Sequence, residues 1–182
     1  MGPIKLGLCK VDRASILPDL PVKLPEALAQ ADQALTLEGD EKLYTGSCQC
    51  GAVAFAVKTA PLEKIEIKED NCSICVRRAA TSIYPDKDQV LLCGRDNTTT
   101  YAFGRKFNQT PFCKTCGVAI YGVAVGPPQS IVDKLPEEKQ KFVEQQRRIQ
   151  PLYVRAMNGV DWDNIKVQRN DEGTEGYTVL DE

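Results

Sequence analysis

Six of the eight cysteines in this 182-residue chain fall into three tight clusters: Cys48-Gln49-Cys50-Gly51, Cys72-Ser73-Ile74-Cys75 and Cys113-Lys114-Thr115-Cys116-Gly117. In an extended segment, residues two apart point to the same side, so Cys48 and Cys50 can offer both sulfurs to one ion. A Cys-x-x-Cys turn does the same by folding the backbone back, and a Gly just after it permits the positive φ that such a knuckle adopts. Two such pairs supply the four thiolates of a closed tetrahedral site, the usual form of structural zinc. The first and third clusters both carry the trailing Gly, so Cys48, Cys50, Cys113 and Cys116 are expected to hold one structural zinc. Buried free thiols or a redox Cys-x-x-Cys pair are the plainer alternatives, but they account poorly for three close pairs in one chain.

The middle cluster has a different chemistry. Asp70-Asn71-Cys72-Ser73-Ile74-Cys75 offers two thiolates and a carboxylate placed two residues before Cys72. Three protein ligands with one vacant position form the arrangement of catalytic zinc, where a water or substrate atom completes the shell. Asp70, Cys72 and Cys75 are therefore the candidate catalytic residues and the candidate ligands of a second zinc. The alternative is a metal-free cysteine pair beside a solvated carboxylate. Cys93, after Val90-Leu91-Leu92, is expected to be a core thiol, and Cys9 has no assignable partner.

The chain contains no histidine, so acid-base chemistry falls to carboxylates, Tyr, Cys, Lys or a metal-bound water. Charged residues make up 26% and hydrophobic residues 42%, the balance of a folded domain rather than a disordered or fibrous chain. A net charge of −2 gives no general affinity for nucleic acid or anionic membrane, and neither partner is expected. The start Met1-Gly2-Pro3-Ile4-Lys5-Leu6 lacks the apolar core of a secretory signal, and Pro3 argues against myristoylation. Clustered cysteines then point to a cytoplasmic, thiol-reducing setting.

The elements that must position these residues are mostly strands. Residues 1–42 hold scattered Pro and a short helical candidate at 25–31, and are expected to form an accessory arm. From 43 onward come short β-type runs at 52–57, 64–68, 81–84, 89–92, 98–103 and 118–125, separated by turn residues. The run Lys64-Ile65-Glu66-Ile67-Lys68 alternates strictly, as a strand with one wet face would. Pro136 opens a helix over 136–149 whose few apolar positions leave it mostly exposed. Strand texture returns at 152–157, a short turn of helix is expected at 161–165, and 171–182 is a polar tail after a zinc domain over 43–170.

At the cysteine clusters the sequence resembles the family of glutathione-dependent formaldehyde-activating enzymes and centromere protein V. The matching residues are Gly46-Ser47-Cys48-Gln49-Cys50-Gly51-Ala52-Val53, Asn71-Cys72-Ser73-Ile74-Cys75 and Phe112-Cys113-Lys114-Thr115-Cys116-Gly117, with weaker matches at Val154-Arg155 and Gly159-Val160-Asp161. The resemblance implies a mainly β fold of packed antiparallel sheets around a structural zinc, related to methionine sulfoxide reductase B, here with an added helix in the C-terminal half. It also implies that Cys72 and Cys75 match two of the three cysteines that hold a second zinc in formaldehyde-activating members, with Asp70 where the first cysteine is expected. A carboxylate there makes the site harder and less electron-rich. Pro111 is a further departure, standing where a basic residue or His is frequent in relatives.

Three functions compete at this stage. The first is a carbon-sulfur lyase-type enzyme using glutathione or a glutathione adduct, with Arg77 and Arg78 pairing carboxylates of the tripeptide and Tyr84 or Tyr101 as proton donor. The second keeps the site but acts on a specialised small molecule without glutathione. The third is a non-catalytic, zinc-stabilised protein-binding module. Oligomeric state is not readable from the sequence.

Overall fold

The structure, a computed structural model, describes Leu28 and residues 31–170. In chain order its elements are α1 (Ala31–Ala34), β1 (Lys42–Ser47), β2 (Ala54–Thr59), β3 (Ile67–Asp70), α2 (Ser73–Arg77), β4 (Thr81–Ile83), β5 (Val90–Cys93), β6 (Thr98–Ala102), β7 (Asn108–Cys113), β8 (Val123–Ala124), α3 (Gln129–Val132), α4 (Glu137–Arg148), β9 (Leu152–Tyr153) and β10 (Val167–Asn170). They form three small sheets with orders β1-β2-β5, β10-β3-β4-β9 and β6-β7-β8. Pairing is antiparallel throughout except for β10, which lies parallel to β3. The expected mainly β architecture of antiparallel sheets is what the chain adopts.

Alternation along β2 explains its central place. Phe55 and Val57 face the main core with Ile67, Ile83, Ile120, Leu152 and Val154. Ala54 and Ala56, on the opposite face, pack against Leu28, Ala31 and Leu35. Two methyl side chains at those positions let the short N-terminal helix approach the sheet, so part of the expected arm is seated on the domain. Cys93, expected as a core thiol, packs at the edge of this second cluster and is only half-buried, and that burial raises its pKa.

The run 118–125 does not form the single strand its composition predicts. After Gly117 it answers to three partners in turn: the Val118 carbonyl accepts from the Cys113 amide, Ile120 to Gly122 pair with the segment 151–153, and only Val123 and Ala124 join β7. Serving two sheets and a knuckle in eight residues leaves no uninterrupted ladder. Likewise 64–68 is split between a 3-10 turn, Leu62–Lys64, and β3, while Val154–Ala156 close into a 3-10 turn directly after β9. Helix α4 follows Pro136 as expected and buries no residue. It is held by Arg147, whose guanidinium donates to the carbonyls of Val125 and Pro127 and to the Gln129 side chain. The expected helical turn at 161–165 is a series of turns, and the candidates at 25–27, 171–182 and Cys9 lie outside the described residues. No helix among the described residues is long and apolar enough to cross a membrane.

Candidate metal centre and adjoining cavity

Cys48 and Cys50 leave the end of β1, and Cys113 and Cys116 leave the end of β7, in two knuckles of the same design. In each, the first cysteine's amide donates to a carbonyl five residues on, Cys48 to Val53 and Cys113 to Val118. Gly51 and Gly117, with φ of 77° and 75°, make the left-handed step that turns the chain back, as the trailing glycines predict. All four sulfurs lie within 4.8 Å of one another. The Cys50 sulfur is 3.6 Å from those of both Cys48 and Cys113. Metal-sulfur bonds of about 2.3 Å in a tetrahedron separate sulfurs by about 3.8 Å, so the donor set fits such an ion.

Backbone amides tune the sulfurs. Burial pushes the Cys48 thiol up to about 12, with the Val53 amide opposing it and the three neighbouring sulfurs adding to it. Burial also acts upward on Cys113, but the amides of Cys116 and Thr115 and the sulfurs of Cys50 and Cys116 outweigh it and bring that thiol down to about 6. Cys116 is lowered too, burial being outweighed mainly by the amides of Val118 and Cys50. Cys113 and Cys116 are thus biased toward the thiolate and Cys48 away from it, and a cation bound among them would oppose the bias at Cys48.

The middle cluster lies where β3 passes into α2. The Asp70 carboxylate accepts a hydrogen bond from the Cys72 amide at 2.8 Å, and the Cys72 sulfur caps α2 by accepting from the Cys75 amide at 3.2 Å. Cys72 and Cys75 are joined as a disulfide. Each sulfur is thereby bonded to the other, beside the Asp70 carboxylate that the sequence groups with them as a possible second metal site. Among the described residues, the group whose ligand atoms converge is the four-cysteine one.

A cavity of about 1000 Å³ lies between the two cysteine centres. Ser47, Cys48 and Gln49 line it from the first centre, and Ile74, Arg78 and Ala79 from the segment carrying the second. The two candidate arginines part company here. Arg77 turns its Nη1 back onto the Ser73 carbonyl at 2.8 Å and is exposed, outside the cavity lining. Arg78 lines the cavity, lies 5.0 Å from the centre of the Tyr153 ring, and has its Nε and Nη1 buried without a hydrogen-bond partner. Tyr101 is a cavity residue and Tyr84 is not.

Arg155, singled out in the sequence only as part of a weak match at Val154-Arg155 and given no role there, lines the same cavity from 76 residues beyond Ala79, the residue whose carbonyl its Nε meets at 3.0 Å. Arg155 also faces Glu69, at 3.9 Å, and the Trp162 ring, at 5.2 Å, so its charge is engaged within the protein. Tyr153, outside the motifs, and Phe112, quoted in the third motif without a role, are further lining residues. For Phe112 a signal existed: it alternates with the buried Pro111 and Cys113 on β7 and so must face away from the core.

Fold and site together define a mainly β protein with a four-cysteine centre able to hold a metal ion beside a cationic cavity. A model of the family described as glutathione-dependent formaldehyde-activating enzyme matches residues 43–151, more than half of the chain, and the protein belongs to that family. A solved Rhodobacter sphaeroides protein matches with a TM-score of 0.52 and 23% identity, over 69% of this chain and 99% of that one, a likeness of fold. Family membership brings with it a glutathione-related activity.

Proposed function

We propose that this protein is a zinc-dependent enzyme of the carbon-sulfur lyase type, acting on glutathione or on an adduct of glutathione with a small molecule. The observation that carries this reading is Arg78, a half-buried cation that lines a cavity in a chain of a glutathione-related family. A ligand carboxylate that meets the accessible edge of that guanidinium forms a charge-assisted hydrogen bond. The tripeptide offers two such carboxylates.

Zinc is the ion we assign to Cys48, Cys50, Cys113 and Cys116, as a structural centre closed to substrate. Once the disulfide is reduced, two sulfurs and the Asp70 carboxylate become available to a second zinc, which when bound would lower the pKa of a thiol beside it. Reduction of that kind suits a cytoplasmic protein, where thiols are kept reduced. The lyase chemistry needs no oxidant. In adduct formation the sulfur lone pair makes the carbon-sulfur bond while the carbonyl π pair moves to oxygen. The thiol proton is lost and the oxygen gains one, and cleavage reverses each step.

The Cys72–Cys75 disulfide favours a second reading, in which the middle cluster is metal-free and the fold serves as a protein-binding module. Thermal shift and turnover with glutathione, with and without formaldehyde, on wild type and Cys72→Ala separate the two. The enzyme reading expects glutathione to raise the wild-type midpoint and Cys72→Ala to remain folded but inactive. Absence of any response in the reduced wild-type protein would remove the glutathione hypothesis.

A further inference from the structure

We infer that the half of the substrate attached to glutathione sulfur is a bulky, flat, apolar group of the aryl class, and that Tyr101, Phe112 and Val118 form the wall that receives it. The inference rests on the glutathione reading and adds the substrate class to it.

The pairing of β6 with β7 sets Tyr101 opposite Thr110 and Thr99 opposite Phe112. Directly paired residues share a face, and residues two apart along a strand share it too, so Tyr101, Thr110 and Phe112 stand on one side of this sheet. That side is a wall of the cavity. Phe103 continues it, its ring 5.9 Å from that of Tyr101 and inclined by 24°. Val118, from the turn after the second knuckle, borders the same wall. Tyr101 is 51% exposed and Val118 37% exposed, so two large apolar side chains meet solvent at the edge of a concave site. Contiguous exposed apolar surface at a cavity is the signature of a ligand surface rather than of ordinary solvated residues.

Size gives an independent argument. The cavity, at about 1000 Å³, lies at the upper end of the range that houses drug-sized ligands. A single carbon on sulfur would fill little of such a volume. Charge is concentrated elsewhere: Arg78 stands over Tyr153, and Arg155 is engaged by Ala79, Glu69 and Trp162. The anionic tripeptide is therefore drawn toward Arg78, and what remains for its sulfur substituent is apolar and flat-sided.

Two inert thioethers test this without turnover. Calorimetric titration of the full chain, reduced and metal-replete, with S-methylglutathione and S-benzylglutathione compares a one-carbon with an aryl substituent, and free glutathione is the reference. S-benzylglutathione is expected to bind roughly tenfold or more tighter than S-methylglutathione. Tyr101→Phe should keep that gap, because the ring is retained, and Tyr101→Ala should reduce it to threefold or less, roughly the loss expected for one stacking partner. Equal affinity of wild type for the two thioethers overturns the inference and leaves the glutathione reading standing. Failure of all three ligands to bind overturns the glutathione reading, and the inference with it. Loss of the gap in Tyr101→Phe would show that the hydroxyl, not the ring face, is what the substrate meets, and that too would overturn it.

Discussion

Arg77 and Arg78 are adjacent, yet the end of a helix separates their fates. Successive residues on a helix diverge by about 100°, so only one of the two can face a given wall. Arg77 folds back onto the Ser73 carbonyl, whereas Arg78, at the C-terminal cap of α2, sets its guanidinium over Tyr153 and lines the cavity. A charge-assisted hydrogen bond contributes about 1.5–3 kcal/mol, so Arg78→Ala should weaken glutathione binding by roughly ten- to a hundredfold. Arg77→Ala should change it by less than about twofold, since an exposed charge outside the site acts only through screened, long-range attraction. Titration calorimetry on both variants checks this, and equal losses would mean that the ligand lies over the exposed side of α2 rather than in the cavity. Adjacent candidates of one residue type could not be told apart in the sequence, because the choice depends on where the helix stops.

Helix α2 stops in a Schellman arrangement: the Ala80 amide donates to the Cys75 carbonyl and the Ala79 amide to that of Val76. The residue making the left-handed turn is Ala79, with φ of 50°, where Gly is the usual occupant. An L-residue there carries a steric cost of about 1–2 kcal/mol, partly offset by the greater freedom that Gly has when unfolded. Ala79→Gly should therefore stabilise the fold by roughly 0.5–1 kcal/mol, seen as a rise of roughly 2 °C in the thermal midpoint. A lower midpoint would show that the Ala79 methyl contributes more to the cavity wall than its backbone strain costs. At this scale the sequence was legible where an element has one neighbour environment along its length. The strand centred on Phe55 and the helix after Pro136 were readable from alternation and from proline placement. It was not legible where the chain changes partners, as at 118–125, nor where pairing joins distant segments. The parallel contact of β10 with β3 has Val167–Asn170 as its only local signal, four residues that are largely exposed.

Across the whole molecule the four-cysteine centre joins the end of β1 to the end of β7, sixty-odd residues apart, as the contact between Cys50 and Cys113 shows. The two knuckles were fully legible because their geometry is local, each needing only its cysteines and its glycine. The cavity was not, since its walls come from segments between Ser47 and Gly159 that only the tertiary fold assembles. Joining distant segments through an ion makes binding free energy into folding free energy. Structural zinc contributes apparent values of about 10–16 kcal/mol, comparable with or larger than the 5–15 kcal/mol net stability of a typical domain. Loss of one ligand is therefore beyond what the rest of the core can absorb. Cys113→Ala also removes a 1%-exposed side chain from the main core, so it should yield protein that aggregates or melts without cooperativity, with metal content near zero. Cys72 caps a five-residue helix at the surface of the domain and is only half-buried, so Cys72→Ala should keep the native circular dichroism and one zinc per chain. Elemental analysis of both variants beside their melting curves decides the matter: comparable collapse of the two would place the middle cluster in the structural framework and deprive the cavity of its reactive wall.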